Sequence, residues 1–144
     1  MKTRSIWGYI HDNYLDEFDF FYLSGDDTHV LVENLRYLLD SELGAAAHEY
    51  PLYLGQWVPD VYDHDATDPY FCGGGPGYVL NRKALRLLVR DLLPTCEPQL
   101  QISAEDRILG SCFRSAGIVG NNSVDETGAQ RFHGMDPNYV SFPC

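Results

Sequence analysis

Apolar positions along the chain change period several times. Ile6, Tyr9, Ile10 and Tyr14 recur at helical spacing, which predicts an amphipathic helix at the N-terminus. Phe18 to Leu23 (FDFFYL) places five apolar or aromatic residues in six positions and predicts a short buried strand. The strand breaks on Gly25-Asp26-Asp27. Val30, Leu31, Leu35, Leu38 and Leu39 then mark the apolar stripe of a second helix, with Gly44 as its stop. Leu52 to Val58 predicts an aromatic-rich strand, and Asp60 to Pro69 a polar loop. Tyr70–Cys72 and Tyr78–Leu80 predict extended segments around the glycine-rich turn GGGPG. Asn81 suits the N-cap of a helix carrying Ala84, Leu85, Leu88, Val89 and Leu92, which Pro94 ends. Ser103 suits the cap of a last helix bearing Ile108, Leu109, Cys112, Phe113 and Ala116, closed by Gly117. From Gly120 the tail is polar and reads mostly as loop.

Helices alternating with buried strands point to an α/β layered fold. Only about four strand candidates appear, few for a complete doubly wound sheet. The 144 residues correspond to one domain, long enough to bury a core, and contain no repeat or low-complexity tract.

The charge narrows the partners. Ten basic residues against 21 acidic give a net charge of −11, which repels nucleic acid and anionic membrane surfaces. Arg82, Lys83, Arg86 and Arg90 read as one solvated helix face rather than a binding patch. A phosphorylated substrate stays possible if a divalent cation supplies positive charge. No apolar run reaches the length of a membrane span, and MKTRSIWGYIHDNY lacks the pattern of a signal peptide. The cysteines Cys72, Cys96, Cys112 and Cys144 lack metal-knuckle spacing. Asn121-Asn122-Ser123 fits the N-glycosylation triplet, a pattern that also arises by chance.

Four stretches could carry chemistry. Asp26-Asp27, at the carboxyl end of a strand, read equally as a site for Mg²⁺ or Mn²⁺ and as a cap in which Asp27 opens the helix at Thr28 or Val30. Gly73 to Gly77 lacks the Lys-Ser/Thr ending of a phosphate loop. It reads as a tight connection between strands, or as backbone that approaches a ligand closely. Glu105-Asp106 follow Ser103 as a shortened capping box, or supply a general base that the positive helix end favours in its ionised form. His133 matters chemically only if the fold carries it to Asp27. Asp60, Asp63, Asp65 and Asp68 do not match a calcium loop and read as solvated.

In order, KTRSIWGYIHDNYLDEFDFFYLSGDDTHVLVENLRYLL, GGGPGYVLNRKAL, SAEDRILGSCF and DETGAQRFHGMDP resemble the core-1 β-1,3-galactosyltransferase (T-synthase) branch of the Fringe-like glycosyltransferase family. The resemblance covers nearly the whole chain. It implies an α/β fold of the GT-A type, with residues 1–144 as the C-terminal part of one catalytic domain lacking the first half of the nucleotide-binding sheet. It also implies roles. Asp27 matches the family's metal-ligating acid, Asp26 its middle acid, and Gly25 replaces its first acid. Gly74, Gly75, Gly77 and Tyr78 match a segment lining the donor or acceptor site. Glu105-Asp106 match the family's acidic pair, with Asp106 as catalytic base, and His133 a second metal ligand. Cys96 and Cys112 match a flanking cysteine pair, which suggests a disulfide and a lumenal location.

The activity implied is inverting transfer of galactose from UDP-galactose to GalNAc on Ser or Thr of a glycoprotein, with Mn²⁺ as cofactor. The compartment implied is the Golgi lumen, with any membrane attachment through an upstream anchor outside this chain. A relative without catalysis, assisting folding or binding a partner, is the alternative that Gly25 and the missing half suggest.

Overall fold

The computed structural model describes residues 2–62, 69–96 and 104–134. Helix α1 (Lys2–Tyr14) leads into strand β1 (Phe20–Leu23). Helix α2 (Val32–Tyr37), widened into a π-turn over Leu38–Glu42, and the short α3 (Ala46–Glu49) follow. Strands β2 (Tyr53–Gly55), β3 (Trp57–Pro59), β4 (Tyr70–Cys72) and β5 (Tyr78–Asn81) come next. Helix α4 (Arg82–Leu87) also ends in a π-turn, Leu88–Leu92, and α5 (Glu105–Ser115) precedes the two-residue β6 (Asn121–Asn122).

The main sheet has the order β1-β5-β2-β6. Both contacts of β5 are antiparallel, with Phe21 opposite Leu80 and Leu54 opposite Val79, whereas β2 and β6 run parallel. Alternation along β5 separates two cores. Tyr78 and Leu80 face a cluster with Trp7, Phe21, Tyr53, Leu85, Leu88, Leu109 and Phe113, drawn from α1, α4 and α5. Val79 faces the opposite cluster, with Leu38, Leu39, Ala47, Leu54 and Phe132. Helices therefore cover both faces, as an α/β layered fold requires, although the sheet is mixed.

Several expectations shift in detail. In α1 it is Trp7 that is buried, at 1% exposure, while Ile6, Tyr9 and Tyr14 stay exposed. Tyr78 decides this, because the Trp7 ring packs 6.1 Å from it and Trp7 Nε1 donates to its hydroxyl at 3.3 Å. Val30 and Leu31 lie outside α2, which starts at Val32. The expected strand Leu52–Val58 divides at Gln56, so that β2 joins the main sheet while β3 pairs with β4 in a separate two-stranded sheet. Gly55 marks the division. A Cβ there would lie 2.9 Å from the Cys72 Cβ, so only glycine lets the two strands approach this closely. The tail from Gly120, read as loop, contributes β6 to the sheet.

Asn81 caps α4 as expected, its side chain accepting from Ala84 N–H at 2.8 Å. The same side-chain oxygen accepts from Leu52 N–H, and the amide nitrogen donates to the Ala47 and Tyr50 carbonyls. This buried amide thus ties β2, α3 and α4 together. Cys96 and Cys112 form a disulfide with Cα atoms 5.6 Å apart, joining the chain after α4 to the middle of α5. Cys72 is a free, buried thiol, and burial pushes its pKa up to about 12.

Candidate active site

The glycine-rich turn connects β4 to β5 and holds three sequence motifs together. On one side the Gly74 N–H donates to Asp106 Oδ2 at 2.7 Å. On another, Thr28 Oγ1 donates to the Gly75 carbonyl at 2.8 Å and the Tyr22 hydroxyl to the Pro76 carbonyl at 2.6 Å. Within the turn, Gly77 N–H reaches the Gly74 carbonyl at 3.1 Å. Gly77 has φ +83, and a Cβ there would lie 2.7 Å from the Leu23 carbonyl, so both conformation and space require glycine. A Cβ on Gly74 would press to within 3.2 Å of Asp106 Oδ2. The segment is a tight strand connection whose backbone also packs directly on a carboxylate.

Asp26 and Asp27 are exposed in a turn after β1, with Thr28 N–H bonded to the Gly25 carbonyl at 3.4 Å. Helix α2 begins at Val32 with Leu31 at its N-cap and no side-chain cap bond, so Asp27 does not cap it. Asp27 Oδ1 lies 2.6 Å from the position a Gly25 Cβ would take. A third acid at position 25 would therefore have to displace the Asp27 carboxylate. Thr28, directly after Asp27, lines a cavity of about 770 Å³ together with Tyr22, Pro76 and His133. Phe132 is buried beside Tyr22, with ring centroids 6.2 Å apart, and Gly134 N–H bonds to Gln56 Oε1 at 2.9 Å. These contacts hold His133 at the same end of the sheet as Thr28 and the glycine turn. Among the described residues no three His, Cys, Asp or Glu side chains converge on one point. His133 lines this cavity and Asp27, one residue before Thr28, does not; a carboxylate oxygen and an imidazole nitrogen are donor types that a divalent cation accepts.

Glu105 and Asp106 open α5, where Ala104 occupies the N-cap without a side-chain bond. Ser103, the expected cap, lies outside the described residues. Asp106 Oδ1 accepts from Arg107 N–H at 2.8 Å, and Oδ2 takes the Gly74 bond. Glu105 turns toward the core, where its Oε2 accepts from the Tyr78 hydroxyl at 3.4 Å. Burial, followed by the charge of Asp106, pushes its pKa up to about 7 against the opposing hydrogen bonds from Tyr78 and Thr3. Burial likewise holds the Tyr78 hydroxyl well above its ordinary value.

Asp60, read as solvated, is buried, at 4% exposure. Arg107 Nε approaches its Oδ1 at 2.7 Å and Arg114 its Oδ2 at 3.3 Å. Burial opposes its charge, but the Arg107 hydrogen bond, the Tyr62 N–H and Arg114 outweigh it and lower the pKa. The Arg107 guanidinium also lies over the Tyr62 ring, 4.8 Å from its centroid. This clamp fixes the chain after β3 to α5, one residue from Asp106. Its sequence signal was two arginines seven residues apart, which share a helix face. Asp63, Asp65 and Asp68 lie outside the described residues. Tyr22 and Thr28, the two anchors of the glycine turn, carried no sequence signal beyond adjacency to the motifs.

No protein-family profile matches the chain. Similar curated proteins include glycoprotein-N-acetylgalactosamine 3-beta-galactosyltransferase 1 of Xenopus laevis, 30% identical over 138 residues, covering 96% of this chain and 36% of that protein. Chondroitin sulfate synthase 3 of Mus musculus is 32% identical over 121 residues, covering 81% of this chain and 13% of that protein. Chondroitin sulfate synthase 2 of Mus musculus is 33% identical over 126 residues, 87% of this chain and 15% of that protein. The chain thus spans about a third or less of the length of these relatives. Over most of its length the chain is similar to part of a 3-beta-galactosyltransferase and to parts of chondroitin sulfate synthases. These likenesses support a β-1,3-glycosyltransferase family for the chain.

Proposed function

We propose that the chain is the C-terminal part of a GT-A catalytic domain that transfers galactose from UDP-galactose to O-linked GalNAc, with inversion, forming a β-1,3 linkage. The observation that carries this reading is the glycine turn. It bonds Asp106 on one side and Thr28, the neighbour of Asp27, on the other. A base and a metal-ligating acid would then sit across one short loop, as single displacement requires.

In this reading Asp106 takes the proton from the acceptor 3-hydroxyl as that oxygen attacks the anomeric carbon. Two of its lone pairs are held by Gly74 and Arg107 N–H groups, which orient the carboxylate and leave further lone pairs for the substrate. Asp26, Gly74, Gly75, Gly77, Tyr78 and Glu105 shape the donor and acceptor surface. Asp27 and His133 would hold Mn²⁺, whose chemistry when bound is to neutralise charge on the departing diphosphate. The Cys96–Cys112 bond supports an oxidising compartment, in keeping with the Golgi lumen. No helix among the described residues is long and apolar enough to cross a membrane.

The test is galactose transfer to a GalNAc-bearing peptide by the chain joined to the nucleotide-binding half of a relative. Transfer that needs Mn²⁺ and fails in Asp27→Ala and His133→Ala supports the reading. Transfer that is indifferent to both substitutions removes the metal assignment. Gly25 favours a second reading, a non-catalytic relative that binds a partner, because it stands where the resemblance calls for an acid. Calorimetry with Mn²⁺ and UDP separates the two, since saturable metal-dependent binding counts against the second.

A further inference from the structure

We propose that Asn121 carries an N-linked glycan. Asn121-Asn122-Ser123 is the single Asn-x-Ser/Thr triplet in the 144 residues, and the structure places its three side chains differently. Asn121 is exposed, and its side chain makes no hydrogen bond within the described residues. Asn122 is engaged, its Oδ1 accepting from Gln130 Nε2 at 2.8 Å and from Trp57 N–H at 3.4 Å. Ser123 is buried at 1% exposure and donates to Gln130 Oε1 at 2.9 Å. The residue that would be modified is thus the one left free.

The position suits a bulky, soluble group. Among the described residues, strand β6 is an edge of the main sheet and pairs with β2. Val119 and Val124, on either side of the triplet, are exposed at 42% and 39%. A glycan on Asn121 would cover this apolar margin and block another strand from adding to the edge. Strand β1, with the Asp26-Asp27 turn, is at the opposite edge, three strand spacings or about 14 Å away. The glycan would leave that cleft open. The disulfide points to the compartment in which such transfer occurs.

In the reaction the Asn121 side-chain nitrogen attacks the anomeric carbon of an oligosaccharide carried on a lipid diphosphate. An N–glycosyl bond forms, the bond from that carbon to the phosphate oxygen breaks, the lipid diphosphate leaves, and the amide gives up one proton. Because Ser123 is enclosed in the folded chain, transfer precedes the packing of residues 123–130.

The test is expression of the full chain behind a cleavable secretion leader in eukaryotic cells, reading only chain from which the leader has been removed. The expected result is a mobility shift abolished by peptide N-glycosidase and absent from Asn121→Gln and Ser123→Ala, but retained in Asn122→Gln. Enzymatic release of the glycan should leave Asp at position 121 by mass spectrometry. Leader-free chain that shows no glycosidase-sensitive shift, or a shift that persists in Asn121→Gln, overturns the proposal.

Discussion

The backbone N–H of Gly74 donates to the Asp106 carboxylate across 2.7 Å, fastening the glycine turn to the first turn of α5. Asparagine at position 106 keeps one oxygen, enough for this bond but not also for the one from Arg107 N–H, and it cannot take up a proton as a carboxylate does. Asp106→Asn should therefore cost about 1–2 kcal/mol of folding stability. It should lower galactose transfer by roughly 10²- to 10⁴-fold in a protein carrying the complete catalytic domain. Thermal denaturation and a transfer assay on the same sample check both halves. Undiminished transfer would remove Asp106 as the base.

Glu105 makes stability fall with rising pH. Its folded pKa, about 7, lies above the ordinary carboxylate value of 4.5, so the native state favours the protonated form. The stability this group contributes is complete below about pH 4.5 and is lost as pH rises through about 7. Glutamine can still accept the Tyr78 hydroxyl bond and cannot ionise. Glu105→Gln should gain on the order of 2 kcal/mol over the native chain at pH 8 and little at pH 4.5, read from urea unfolding at both pH values. An equal effect at the two would show that Glu105 ionisation is not coupled to folding.

The Asp60 clamp has the opposite sign. Asp60 has a lowered pKa, so its contribution is present above the ordinary carboxylate range and is lost as pH falls through its folded value. Asp60→Ala removes the buried carboxylate that Arg107 and Arg114 approach and should cost about 3 kcal/mol at pH 7. The loss should shrink in acid. A substitution that costs nothing at neutral pH would show the two arginines to be fully hydrated.

Reduction of Cys96–Cys112 should cost about 3 kcal/mol, the loop-closure value for a separation of 16 residues. Denaturation with and without reductant measures it. The larger local consequence should fall on α5, which the bridge holds at Cys112. Hydrogen exchange of the Glu105–Ser115 amides should accelerate on reduction more than that of α1.

Much of the element order was legible because local patterns coincide with the final packing. The Asn81 cap, the β5 strand and the stripe of α5 each read correctly, since one face of each meets a continuous core. Where a competing contact decided the outcome, the local pattern misled. Trp7 packs toward Tyr78, so of the expected stripe Ile10 meets the core while Ile6, Tyr9 and Tyr14 face outward. Asp60 looked like one acid among several in a polar loop, and only two arginines 47 and 54 positions away make it a buried anchor.

The candidate site was legible as separate motifs. Their order and residue types carried the resemblance to β-1,3-glycosyltransferases, because chemistry demands particular side chains at particular places in the chain. Their assembly was not legible. Asp106 meets Gly74 across 32 positions and Thr28 meets Gly75 across 47. Periodicity reports only which face of an element is apolar, over a few turns. The strand order β1-β5-β2-β6, the division of residues 52–58 between two sheets, and the gathering of Thr28, Asp106 and His133 around one loop depend on pairings far apart in sequence. The sequence by itself determined most of the elements and the candidate reactive groups. The tertiary structure alone decided which groups share a cleft, because only packing across the sheet selects among the faces that each element offers.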